Sequence, residues 1–254
     1  MTPALEVRGI SKAFGAVQVS RDISFTLEPG ARHALIGPNG AGKTTLVGIL
    51  CGLIAPDTGQ VRLRGGDITR MPPARRVQRG LVRTFQVTSL FPEMTVLENV
   101  FMAINARERA SRRMFRAARS DPGMRSEAEA IVEQFAMGED LHRRVGEIAY
   151  GRQRQGELHQ PLALRPQVLL LDEPAAGVPT GEIDLLLGAI ARLPAELAIL
   201  IIEHDMQVVR SVARTATVLV QGSILMSGPL QEVMDAPAVH DVYLGASGVR
   251  RFQG

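Results

Sequence analysis

Gly37-Pro38-Asn39-Gly40-Ala41-Gly42-Lys43-Thr44 fits the pattern G-x-x-x-x-G-K-[ST], in which backbone N–H groups wrap the phosphates of a nucleotide. Its glycines let bare backbone reach the ligand where side chains would block it. Lys43 suits a compact charge on the outer phosphates, and the Thr44 hydroxyl can sit on Mg²⁺. A second acid-bearing run, Gln167-Val168-Leu169-Leu170-Leu171-Asp172-Glu173-Pro174, ends in two carboxylates. Asp172 suits indirect Mg²⁺ coordination, and Glu173 suits polarising a water for attack on a γ-phosphate. His204 follows a third apolar run and is a candidate γ-phosphate contact. Gln86 ends a fourth, where a neutral amide could bind Mg²⁺ or the attacking water. Phe14, beside a glycine turn, is either a platform for a flat adenine ring or a hydrophobic plug between strands.

These groups need elements that bring them to one place. Arg32-His33-Ala34-Leu35-Ile36 reads as a buried strand entering the phosphate loop, and Thr45 to Leu50 as a helix leaving it. The positive end of that helix then faces the phosphates. The apolar stretches before Asp172 and Glu203 read as strands buried on both faces, the mark of a parallel sheet under helices. Open sheets of this class bind ligands at the carboxyl ends of their strands, where Asp172, Glu173 and His204 lie. Residues 5–28 alternate apolar and polar in two runs around Gly15, which predicts an antiparallel pair. Residues 216–226 predict a hairpin. Between Val87 and Gly146 the chain is helix-rich and carries Arg107, Arg109, Arg112, Arg113, Arg116 and Arg119. Those cations suit lipid headgroups, a partner protein or a solvated helix face. Asp121-Pro122-Gly123 is expected to break this run, with a further helix from Glu127 to Phe135.

Composition sets the frame. The chain has 254 residues, 45% of them apolar, enough for a substantial core in one large domain. No apolar run approaches the roughly 18 residues of a membrane span, and Met1 to Glu6 lacks the basic-then-apolar order of a secretory signal. Cys51 alone makes no internal disulfide and reads as a small buried residue. A cytoplasmic location is expected. Only Lys12 and Lys43 are lysines among 29 basic residues, so lysine stands in the phosphate loop of a chain that otherwise uses arginine. Arginine's planar fork does not fit that compact slot.

Taken together, these motifs resemble the ATP-binding cassette ATPases over residues 5–245. The runs Ala34 to Thr45, Arg83-Thr84-Phe85-Gln86, Asp172-Glu173-Pro174-Ala175-Ala176-Gly177 and Ile202-Glu203-His204-Asp205-Met206 look most like the ATPase subunits of bacterial importers for branched-chain amino acids. The closing Val242-Tyr243-Leu244-Gly245 is similar too. The resemblance implies an α/β fold: a P-loop NTPase with a mainly parallel central sheet, an N-terminal antiparallel β subdomain and an inserted helical subdomain. Residues 1–87 and 162–245 would form the nucleotide-binding core, 88–161 the helical subdomain and 246–254 a tail. It implies ATP and Mg²⁺ as ligands and hydrolysis coupled to transport. It also implies a peripheral place on the inner face of the plasma membrane, beneath two permease subunits and, indirectly, a periplasmic or extracellular solute-binding protein. Such ATPases pair head to tail, each ATP lying between one phosphate loop and the other subunit's signature. No nucleic-acid module is evident.

The chain departs from its family in four places. The signature, expected as Leu-Ser-Tyr-Gly-Gln-Gln-Arg, reads Ile148-Ala149-Tyr150-Gly151-Arg152-Gln153-Arg154, so Ala149 lacks the hydroxyl offered to a partner's γ-phosphate. Gly156 and Pro161 interrupt the helix that follows, where an interior proline kinks or breaks the turn. Pro179 replaces a residue that usually bridges the two subunits. By the resemblance all four lie in parts that the chain would present to its partner's nucleotide, which favours a heterodimer with unequal sites over a homodimer. The alternative is a regulatory or structural subunit that binds nucleotide with little turnover.

Overall fold

The structure is a computed structural model that describes residues 2–84, 90–108 and 121–248. In chain order come β1 (Leu5–Phe14), β2 (Val17–Leu27), β3 (Arg32–Ile36), α1 (Lys43–Cys51), β4 (Thr58–Leu63), β5 (Gly66–Asp67), α2 (Pro73–Gln78) and β6 (Leu81–Arg83). After them come α3 (Val96–Arg107), α4 (Pro122–Gln134), α5 (Tyr150–Gly156), α6 (His159–Ala163) and β7 (Val168–Asp172). The chain closes with α7 (Ile183–Ala191), β8 (Ala198–Ile202), α8 (Met206–Val212), β9 (Thr215–Val220), β10 (Ser223–Pro229), α9 (Leu230–Asp235) and α10 (Pro237–Gly248).

The alternating N-terminal runs pair as β1 and β2, from Leu5 opposite Leu27 to Phe14 opposite Val17. They belong to a four-stranded antiparallel sheet, β2-β1-β4-β5. A six-stranded sheet, β10-β9-β3-β8-β7-β6, holds the other strands. Its pairs are parallel except at β9 and β10, which form the expected hairpin. Every residue of β7 and β8 is buried, because the sheet is covered on both faces. Successive side chains point to opposite faces. Val168 and Leu170 accordingly join the core beneath α1 and the antiparallel sheet, while Leu169 and Leu171 join the core beneath the helices.

In the helix-rich stretch, Thr95 and Glu98 form a reciprocal capping box that starts α3. The helix expected from Glu127 starts earlier, at Pro122, directly after the extended Asp121. Asp121 accepts from the N–H groups of Gly123 and Met124 and opens α4 with Pro122 at its first position, where proline's missing N–H costs nothing. Arg107 is not on a solvated face: it pairs with Glu127 of α4 (2.6 Å) and donates to Ala163 O (2.7 Å). The other five arginines of that stretch lie outside the described residues. Around Pro161 the helix parts into α5 and α6. Proline lacks the N–H and crowds the carbonyl four residues back, and at the junction Leu158 N–H bonds Gln155 O in a tighter three-residue turn (3.2 Å). Among the described residues no helix is long and apolar enough to cross a membrane.

Candidate functional site

The phosphate loop is held open by its glycines. Gly37, Gly40 and Gly42 have φ of 148°, 78° and 101°, values that L side chains rarely adopt. A Cβ on Gly37 would lie 2.1 Å from Leu219 O, and one on Gly42 2.5 Å from Val19 O. The loop is thus clamped between β9 and β2, and only glycine fits the two contacts. Gly42 is the N-cap of α1, whose first turn carries no acid, so its positive end is not neutralised by the helix's own side chains. Lys43 Nζ donates to Gly37 O (2.6 Å) and Pro38 O (3.0 Å) across the loop. Burial lowers the Lys43 pKa, and the nearby charges of Glu173 and Asp172 oppose that shift. Asn39, Gly40 and Thr44 are exposed, Pro38 and Thr45 half-buried, and Ala41 buried.

Strand register brings the other candidates to the same edge. Leu35 on β3 lies opposite Ile202 on β8, and Ile202 lies opposite Asp172 on β7. The next residues along the three strands lead into the phosphate loop, into Glu203-His204 and into Glu173. Glu173 adopts φ of 48° and donates its N–H to Ile202 O (2.8 Å). A non-glycine residue pays about 1–2 kcal/mol for this left-handed backbone, which re-aims the chain as it leaves the sheet. Asp172, 6% exposed, is ion-paired with Arg83 at the end of β6. The His204 side chain is 65% exposed, with Nδ1 3.5 Å from Glu203 Oε2.

Glu203 was not a candidate from sequence. It is 1% exposed and accepts from the N–H groups of Ala175 (3.1 Å), His204 (2.8 Å) and Asp205 (3.1 Å). One buried carboxylate thereby organises both the turn after Glu173 and the loop bearing His204. An acid closing a strand of five buried apolar residues was the available signal.

A family model described as ABC transporter matches residues 20–176. The chain belongs to the ABC transporter family. It is 38% identical to BraF of Pseudomonas aeruginosa, named a high-affinity branched-chain amino acid transport ATP-binding protein, over 96% of this chain and 98% of that one. It is 34% identical to LivG of Escherichia coli K12, a protein of the same description, over the same shares. A solved ATP-binding cassette of an ABC transporter in its ADP conformation superposes with a TM-score of 0.83 at 28% identity, covering 96% of this chain and 100% of that one. A nucleotide-free cassette gives 0.81 at 28%, covering 95% and 98%. The fold is that of an ABC ATPase.

Within this ABC cassette, Phe14 is 50% exposed beneath Lys12 Nζ, 5.4 Å from its ring centroid. It is not a plug between strands. Gln86 lies outside the described residues. The signature segment opens α5. Ala149 is its N-cap and offers no side-chain cap. Tyr150 Oη accepts from Arg154 Nε (2.9 Å), Arg152 pairs with the buried Asp140, and Gln153 donates to Ile148 O (2.9 Å). Gly151 packs on Glu182, whose Oε2 would lie 2.3 Å from an added Cβ. Arg154 also donates to Ala176 O (3.1 Å), tying this helix to the turn after the acids.

The residues fit a nucleoside triphosphate: the loop holds Gly37, Gly40 and Gly42 at positive φ, Lys43 reaches across it, and it opens onto the acid-free first turn of a nine-residue helix. Among the described residues no three of His, Cys, Asp and Glu form a metal cage.

Proposed function

We propose that this chain binds ATP with Mg²⁺ and hydrolyses it to drive a membrane importer for branched-chain amino acids or a similar small polar solute. The alignment of Leu35, Ile202 and Asp172 in one row of the sheet carries the reading, since it gathers loop, acids and histidine at one edge. N–H groups of Gly37 to Thr45 would hold the phosphates, Lys43 would neutralise the outer ones and Phe14 would support the adenine ring. Thr44, Gln86 and Asp172 would hold Mg²⁺, which would supply positive charge to offset the charge that develops on the phosphates. Glu173 would take the proton of the attacking water, with Gln86 and His204 fixing water and terminal phosphate.

The same reading makes the chain a peripheral subunit on the cytoplasmic face of the membrane. Ala149, Tyr150, Gly151, Arg152 and Gln153 would complete a partner ATPase's site, with a heterodimer favoured. Two permeases would dock above, fed by a solute-binding protein. A groove of about 250 Å³ between β6, α3 and α6, walled by Val82, Phe91, Met102, Pro161 and Leu164, supports docking at that face. Glu173→Gln should keep ATP binding and abolish phosphate release in the assembled transporter, with uptake of labelled leucine lost in cells. Unchanged phosphate release would reject Glu173 as the base. Equal losses from Glu173→Gln here and the matching change in the partner would reject unequal sites.

A further inference from the structure

We propose that Arg83 is a positioning residue for the metal-facing carboxylate, and that its charge sets how much the nucleotide site gains from Mg²⁺. This rests on the functional reading above. Arg83 ends the edge strand β6, in register with Leu170 of β7. Its guanidinium reaches along the sheet to Asp172 Oδ2, and the two side chains are only 17% and 7% exposed. Cys51, the last residue of the helix that begins at the phosphate loop, lies close enough for the Arg83 charge to oppose the upward shift that burial gives its thiol. Arg83 therefore stands between the far end of that helix and the strand that ends in the acids.

Its effect follows from charge. Lys43 senses both Asp172 and Glu173, and the buried Glu203 closes the strand between them, so the edge carries three acids against Lys43 and, through the ion pair, Arg83. With Arg83 the five groups sum to minus one; without it they sum to minus two. A polyphosphate approaching without metal then meets greater repulsion, and a dication relieves it. The ion pair also fixes the Asp172 rotamer, since charge-assisted hydrogen bonds are the stronger kind. Lysine at 83 would keep the charge and lose the planar fork.

The test is equilibrium binding of ATP to the purified chain, in excess Mg²⁺ and in EDTA. In Arg83→Gln the affinity in EDTA should fall about tenfold, as expected for deleting one nearby unit charge in a partly buried site. The affinity in Mg²⁺ should fall less than about threefold, so the gain from Mg²⁺ rises. Arg83→Lys should return the gain to within about twofold of wild type. A gain unchanged in Arg83→Gln, or raised equally in Arg83→Lys, overturns the proposal. Should Arg83→Gln fail to fold, Arg83→Lys decides alone: a gain altered by more than about fivefold contradicts control by charge. A wild-type chain that binds no ATP under either condition overturns the functional reading and this inference with it.

Discussion

The carboxylate of Glu203 accepts the N–H of Ala175 across 3.1 Å, and so ties the turn that carries Glu173 to the loop that carries His204. Its other oxygen accepts from His204 and Asp205. Glu203→Gln would set an amide NH₂ against at least one of these donors. Hydrogen bonds to a charged group contribute about 1.5–3 kcal/mol, so a stability loss of about 2 kcal/mol is expected by urea unfolding. Turnover should fall about tenfold or more, because both loops lose their shared anchor. Wild-type turnover in Glu203→Gln would mean that the loops hold their geometry without it.

Two glycines of the phosphate loop should respond unequally to alanine. A Cβ on Gly40 meets nothing within 4 Å, whereas one on Gly42 lies 2.5 Å from Val19 O. Gly40→Ala bears only backbone strain, about 1–2 kcal/mol. Gly42→Ala adds a collision with the backbone of β2, and overpacking costs about 1–3 kcal/mol more. Chemical denaturation of the two variants measures the difference. Equal losses would show that β2 does not confine the loop.

Ala149 has the extended backbone of an N-cap, φ −58° and ψ 147°, but no side-chain oxygen. Ala149→Ser should stabilise α5 by about 1 kcal/mol, raising Tm by about 2–4 °C for a chain of this size. Turnover of the assembled transporter should rise as well, through the hydroxyl lent to the partner's nucleotide. A higher Tm with unchanged turnover would locate the defect at the helix break near Pro161. An unchanged Tm would remove the capping argument.

The strand-loop-helix around Lys43 was legible because its features are local: a pattern of eight residues, an apolar strand before it and a helical period after it. Asp172 and Glu173 were legible for the same reason. Arg83 and Glu203 were not, because their importance is tertiary. Arg83 is one arginine among many, and its partner lies 89 residues away. Glu203 stood beside His204, whose ring drew the chemical reading, while its own role is to collect three N–H groups from two loops. Asp121-Pro122-Gly123 was legible as a break, but the helix after it begins at Pro122 and not at Glu127, because Asp121 caps it and proline suits its first position. The helix break was legible from Pro161, since the missing N–H is a property of the residue itself.

Two buried histidines give stability a sign in mild acid. Burial pushes His33 down to about 4 and His159 down to about 3, against about 6.5 in an unfolded chain. Both are neutral in the fold near pH 5.5 and protonated when unfolded. The unfolded state then binds more protons, and stability rises with pH across this window and is lost as pH falls below about 6.5. Each histidine contributes a slope approaching 1.4 kcal/mol per pH unit. His33 sits between the hydroxyls of Thr215 and Thr217, 2.8 Å from each. His159 packs on Phe135, and its buried Nε2 has no hydrogen-bond partner, so an imidazolium there would lack an acceptor. His159→Leu should cost little at pH 7.5 and roughly halve the slope between pH 5 and 6.5. That range lies above the titration of Glu127, which Arg107 holds below the usual carboxylate value. Urea unfolding at four or five pH values measures the slope. A slope unchanged by His159→Leu would mean that His159 is not the group being charged.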